Sequence, residues 1–138
     1  SLIALALATG LLALAVYLTT NPCLEMLSLS RSYAVATTEA QRLVFLAAGE
    51  VLLAGFTGTA FTVYYLLSGV ALLLFSAVML RSTVYGRKTA WTALAAGILM
   101  LVPSSAGQLG VIFAMASLVP WVAFSILLVP QFLRMSRG

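Results

Sequence analysis

The stretch Thr57-Gly58-Thr59-Ala60-Phe61-Thr62-Val63-Tyr64-Tyr65-Leu66-Leu67-Ser68-Gly69-Val70-Ala71-Leu72-Leu73-Leu74-Phe75-Ser76-Ala77-Val78-Met79-Leu80 runs twenty-four residues without a charge, and Arg81, Arg87 and Lys88 follow it closely. A helix needs about 20 apolar residues to cross the roughly 30 Å hydrocarbon core of a bilayer. Basic residues at one end of such a span mark its cytoplasmic side. This one stretch therefore assigns the chain to the membrane and gives it a direction.

Composition agrees. Of the 138 residues 63% are hydrophobic and 7% are charged, whereas soluble domains are about 25% charged. A water-soluble domain of this length leaves about 30% of its unfolded surface exposed, too much to hide these side chains. Lipid has to cover the outside, and the length suits one transmembrane domain over residues 1–138. The net charge of +4 is no nucleic-acid signature, because Arg81, Arg87, Lys88, Arg134 and Arg137 all flank apolar spans. There they orient the protein and meet anionic headgroups; nucleic acid is not an expected partner.

Histidine is absent, which removes His-ligated haem and pigments, most zinc and copper sites, and the commonest general base. The single cysteine, Cys23, permits neither an internal disulfide nor a thiolate-bound cluster. No cofactor is expected. No enzyme activity is expected either, since Ser104 and Ser105 have neither histidine nor lysine nearby to activate them.

Four spans emerge from the pattern, at about residues 2–19, 57–80, 89–103 and 109–132. The first is Ala/Leu-rich and ends at Asn21-Pro22, because the residue before proline is pushed out of the α region. Although it resembles the apolar part of a signal peptide, it lacks a small-x-small cleavage site, and a retained membrane helix is expected. The third is short: fourteen residues separate Lys88 from Pro103, about 21 Å of helix. Pro103-Ser104-Ser105-Ala106-Gly107-Gln108 is a breaker and turn cluster,. The fourth holds Pro120 and Pro130, which membrane bundles tolerate.

Residues 20–56 differ from the rest, with Glu25, Arg31, Glu39, Arg42 and Glu50 spread among apolar positions. Thr38-Glu39-Ala40-Gln41 has the form of a capping box,, so a helix is expected from about Glu39 to Leu53. One or two amphipathic helices near the membrane surface fit this segment. A competing reading starts the second span early and carries Glu50 into the membrane. With Arg81–Lys88 inside, residues 20–56 fall outside and both termini are cytoplasmic.

The expected fold is thus all-α: an integral membrane four-helix bundle with an amphipathic helical extracytoplasmic cap. Small residues recur four apart as Ala6 and Gly10, Gly58 and Thr62, Ala93 and Gly97, Gly110 and Ala114. Such spacing lets helix backbones approach closely. Internal packing is the commoner reason for it; docking onto helices of another protein is the functional one. Glu50 and Arg42 lie two turns apart on one helix face, and Ser104, Ser105 and Gln108 belong to the same outer side. Together they form the candidate polar pocket, because an ionisable group inside a membrane is a functional hypothesis by default. A solvated helix face with a local ion pair is the plainer alternative.

The runs Asn21-Pro22, Met26-Leu27-Ser28-Leu29-Ser30, Tyr33 through Arg42 and Ala47-Ala48-Gly49-Glu50, with the later Val78-Met79-Leu80-Arg81-Ser82 and Ala96 through Leu101, resemble a family of bacterial multi-pass membrane proteins grouped as a domain of unknown function of the "4386" type. The resemblance covers about two thirds of the chain. It implies a protein of the bacterial inner membrane and transfers no catalytic residue. Two functions are expected from this reading. One is an accessory subunit packed against other transmembrane subunits; the other is a transport or small-ligand-binding protein built around Glu50.

Overall fold

The computed structural model describes the whole chain except residues 104, 137 and 138, and gives Met135 as backbone alone. Of the sequence expectations, those on Ser104 and Arg137 lie outside the described residues. Among the described residues every regular element is helical: α1 (Leu2–Thr20), α2 (Cys23–Val35), α3 (Glu39–Gly55), a π-helical turn (Phe56–Ala60), α4 (Phe61–Leu80), α5 (Arg87–Leu99) and α6 (Gly107–Met135). Three helical runs, Leu2–Val35 (counted across its break), Glu39–Leu80 and Gly107–Arg134, are long and apolar enough to cross a membrane. Helix α5, at 13 residues and about 20 Å, is not.

Helix ends follow local chemistry. Asn21 leaves the helix with extended backbone before Pro22, and its side-chain oxygen accepts from the Cys23 N–H at 3.1 Å in an Asx turn that leads from α1 into α2,. The capping box at Thr38 is present in full. Thr38 Oγ1 accepts from the Gln41 N–H at 3.3 Å, and Gln41 Oε1 accepts from the Thr38 N–H at 3.4 Å. The third span stops at Leu99 rather than reaching residue 103. A proline ring clashes with the carbonyl four residues back, and four back from Pro103 is Leu99. Gly107, at φ 69°, makes the left-handed step that starts α6.

Helix runs on from Glu39 through Leu80, but it kinks at Gly58, whose ψ of −126° is non-helical. Glycine and the flanking threonines Thr57 and Thr59 are weak helix formers. Threonine hydroxyls answer carbonyls around the break: Thr57 donates to Leu53 at 2.8 Å and Thr62 to Gly58 at 3.1 Å. The kink lies level with the end of α1, where the Tyr17 and Tyr64 rings meet at 4.9 Å.

Packing runs in series, α1 on α4, α4 on α5, and α5 on α6. The tightest crossing joins α4 and α5. A Cβ added to Gly97 would sit 3.1 Å from the Gly69 carbonyl oxygen, and one added to Gly69 would sit 3.1 Å from Met100 Cβ. Thr89, Ala90, Ala93, Ala96 and Gly97 form the buried face of α5, and Ser76 of α4 donates to the Ala90 carbonyl at 2.9 Å. Because α5 is thin, α6 reaches past it to α4, with the Tyr65 and Ser117 hydroxyls 3.2 Å apart. Tyr65, Leu72, Ala93, Ala96 and Met100 make up the core, with Phe124 and Ala114 of α6 packed on it.

The arrangement departs from the expected bundle in two ways. Helix α1 packs on α4 and not on α6, so the four long elements do not close a ring. The segment expected as a cap is an αα-hairpin, in which α2 and α3 pair with each other and α3 joins the rest through the π-helical turn. It does not cover the ends of α5 and α6.

Candidate functional site

The residues of the expected polar pocket fall in separate places. Glu50 is exposed and lines a groove of about 330 Å³ on one face of the hairpin, among Met26, Tyr33, Phe45 and Leu53. A second groove, on the other hairpin face, holds Glu25, Ser28 and Val51. Arg42 is exposed and lines neither groove. Ser105 and Gln108 border a shallow hollow with Val111 and Ile112 at the start of α6. Ser105 instead meets Thr62, hydroxyl to hydroxyl at 3.1 Å. Helix α3 presents Glu50 to α2, which is why sharing one side of the protein does not bring it to the α5–α6 turn.

The small-residue positions divide as well. Ala6, Ala93, Gly97 and Gly110 are buried. Gly10 lies beside Phe75 and Ala71, Ala114 packs on the core, and Gly58 and Thr62 form the kink rather than a helix crossing.

A further feature lies where the ring fails to close. A cleft of about 570 Å³ separates α1 from α6, with α4 as its floor. Its walls are apolar, supplied by Leu7 and Leu14 of α1, Ala71 and Phe75 of α4, and Phe124 and Phe132 of α6. Tyr64 and Ser68 bring hydroxyls to the end near the hairpin, and Tyr85 stands at the opposite, basic end.

Beyond Tyr85 the lining changes character. A cavity of about 430 Å³ is bounded by Thr83, Val84, Tyr85, Gly86, Gln131 and Arg134. Gln131 Nε2 donates to Thr89 Oγ1 at 2.6 Å, while its Oε1 is buried with no partner. Gly86 opens α5 with no side-chain cap and no acidic residue in the first turn. Arg81, Arg87 and Lys88 are exposed around this end.

Among the described residues no three His, Cys, Asp or Glu side chains gather where a metal ion could be held. The buried hydroxyls of Ser76 and Ser117 are engaged with the Ala90 carbonyl, and with Tyr65 and the Ala114 carbonyl; none faces a base. Sequence reasoning missed Gln131 and Thr89. Their signal was available, since Gln131 is a polar residue near the end of an apolar span, but it falls inside the span drawn over residues 109–132 and was given no role. Comparison with protein-family models, curated proteins and solved structures finds no match.

Proposed function

We propose that the chain is an accessory, non-catalytic subunit of a larger complex in the bacterial inner membrane, with both termini cytoplasmic and the α2–α3 hairpin on the outer side. The hairpin is the observation that carries this reading. It has no buried residue in either helix, and Leu24, Val35 and Val51 are 74%, 77% and 72% exposed. So much ordered apolar surface is unfavourable in water, where large patches mark contact sites. Glu25, Arg31, Glu39, Arg42 and Glu50 are equally ill-suited to hydrocarbon, where each charge costs about 2.5–3.5 kcal/mol at the centre of a span. A surface too apolar for water and too charged for lipid fits helices of another protein at the membrane boundary. The orientation is supported by Arg81, Arg87, Lys88 and Arg134, which lie together at the opposite end, as the positive-inside rule asks. The bacterial assignment rests on the family resemblance.

A photo-crosslinking residue in place of Leu46, half-exposed on the hairpin, tests the reading in native membranes, with one in place of Val119 on α6 as reference. The expected result is one or two discrete polypeptides captured at 46, the same ones co-migrating in stoichiometric amount after gentle-detergent purification. Capture of lipid alone at both positions, together with a lone chain on a native gel, overturns the accessory-subunit reading and returns attention to Glu50.

A further inference from the structure

The apolar cleft and the polar cavity lie next to each other with Tyr85 in the wall of both, a slot in two parts. Along α4 the cleft extends from Tyr64 to Met79, fifteen residues and about 22 Å, which is more than one leaflet's half of a roughly 30 Å hydrocarbon core. At the basic end the apolar walls give way to Arg134, the Gln131 amide, the Tyr85 side chain and the uncapped start of α5. A ligand matching this slot has a long apolar tail, a polar junction and a negative head, in that order.

We propose that the slot between α1, α4 and α6 is a binding site for one anionic phospholipid, with an acyl chain in the cleft and its phosphate at Arg134. Charge complementarity selects this occupant over a partner helix. A transmembrane helix carries no intrinsic anionic group, whereas every anionic phospholipid brings one to the basic end. The Gln131 amide adds directionality. Its Nε2 is tied to Thr89 and its Oε1 is buried without a partner; an end-for-end turn about the soft terminal torsion lets Oε1 accept from the Thr89 hydroxyl and leaves Nε2 as the donor for the headgroup. The site needs the membrane placement and the inward orientation of the basic end, and is independent of any protein partner.

Native mass spectrometry of the full chain released from detergent, titrated with dioleoyl phosphatidylglycerol or dioleoyl phosphatidylcholine, measures the site. The expected result is a single saturable phosphatidylglycerol adduct favoured over phosphatidylcholine. Arg134→Gln reduces that preference about 5-fold, the effect of one basic residue at a lipid surface. Arg81→Gln removes an equal charge outside the cavity wall and leaves it unchanged. Leu7→Trp fills the cleft from its half-exposed side, where folding tolerates it, and abolishes the adduct. Glycerophosphate, a headgroup without chains, does not compete. Equal losses for Arg134→Gln and Arg81→Gln show diffuse surface attraction only and overturn the site, as does an adduct that survives Leu7→Trp. The accessory-subunit reading stands or falls separately, by crosslinking at position 46.

Discussion

Replacing Gly97 with alanine probes the crossing on which the α4–α5 pair depends. The added methyl carbon would lie 2.9 Å from both Leu73 Cγ and Cδ2 and 3.1 Å from the Gly69 carbonyl oxygen. Leu73 can rotate away, but the carbonyl belongs to the α4 backbone and yields only if the two helices separate by several tenths of an ångström. Separation loosens the contacts that Ala93, Ala96 and Met100 make with Tyr65 and Leu72. Overpacking of this kind costs about 1–3 kcal/mol. Against it stands the general gain of alanine over glycine within a helix, about 0.5–1 kcal/mol, so the net loss expected for Gly97→Ala is about 0–2.5 kcal/mol. Gly55→Ala supplies the reference, since nothing lies within 4 Å of a Cβ there and only the helix gain remains. Subtracting one variant from the other removes the propensity term and isolates the steric one. Equilibrium unfolding in mixed detergent micelles, followed by far-ultraviolet circular dichroism, measures both. Equal free-energy changes for the two glycines would refute the close crossing.

Three further outcomes are expected. Ser76→Ala removes the buried hydrogen bond to the Ala90 carbonyl and lowers stability in the same unfolding assay by about 0.6–1.7 kcal/mol; no change would mean that the hydroxyl finds equal partners in the unfolded state. Thr38→Ala removes the cap of α3 at a cost of about 1 kcal/mol, read as faster amide exchange at residues 39–42 with α4 and α5 unaffected. Glu50→Gln changes stability by less than about 0.5 kcal/mol, as surface substitutions do, and leaves the co-migrating polypeptides unchanged; loss of a transport or binding activity with assembly intact would instead support the carboxylate as a functional group.

Where sequence and structure agree, the physics is local. Asn21-Pro22 and the Thr38–Gln41 box act within a few residues, and both are where the residue types place them. The shortening of α5 was equally legible, because Pro103 acts at a fixed distance, yet hydropathy extended the span across Met100-Leu101-Val102. The fold's closure was not legible. Helix α1 is apolar all round, so no stripe tells which neighbours it chooses. Helix α1 buries Ala6 and Ala13 and lays Gly10 beside Phe75 and Ala71 of α4, a choice that depends on where α4 holds those side chains. The polar pocket failed for a related reason. Glu50 shares neither an element nor a neighbour with Ser105 and Gln108, and the cavity that does collect polar groups is assembled by Gln131 of α6 and the α4–α5 loop.

The kink at Gly58 and the break at Asn21-Pro22 lie side by side, and everything between them is the hairpin. Residues 21–57 are therefore a cassette. The chain leaves α1 and re-enters α4 at nearly the same point, and no helix pairing among α1, α4, α5 and α6 passes through the interval. Such a segment can be excised and its flanks rejoined by a short turn, or exchanged for another of different length, while the Gly69–Gly97 crossing and the lipid slot keep their geometry. The gene could thus vary the outer arm and the inner framework independently, so that the length and surface of the hairpin change without redesigning the packing of α1, α4, α5 and α6.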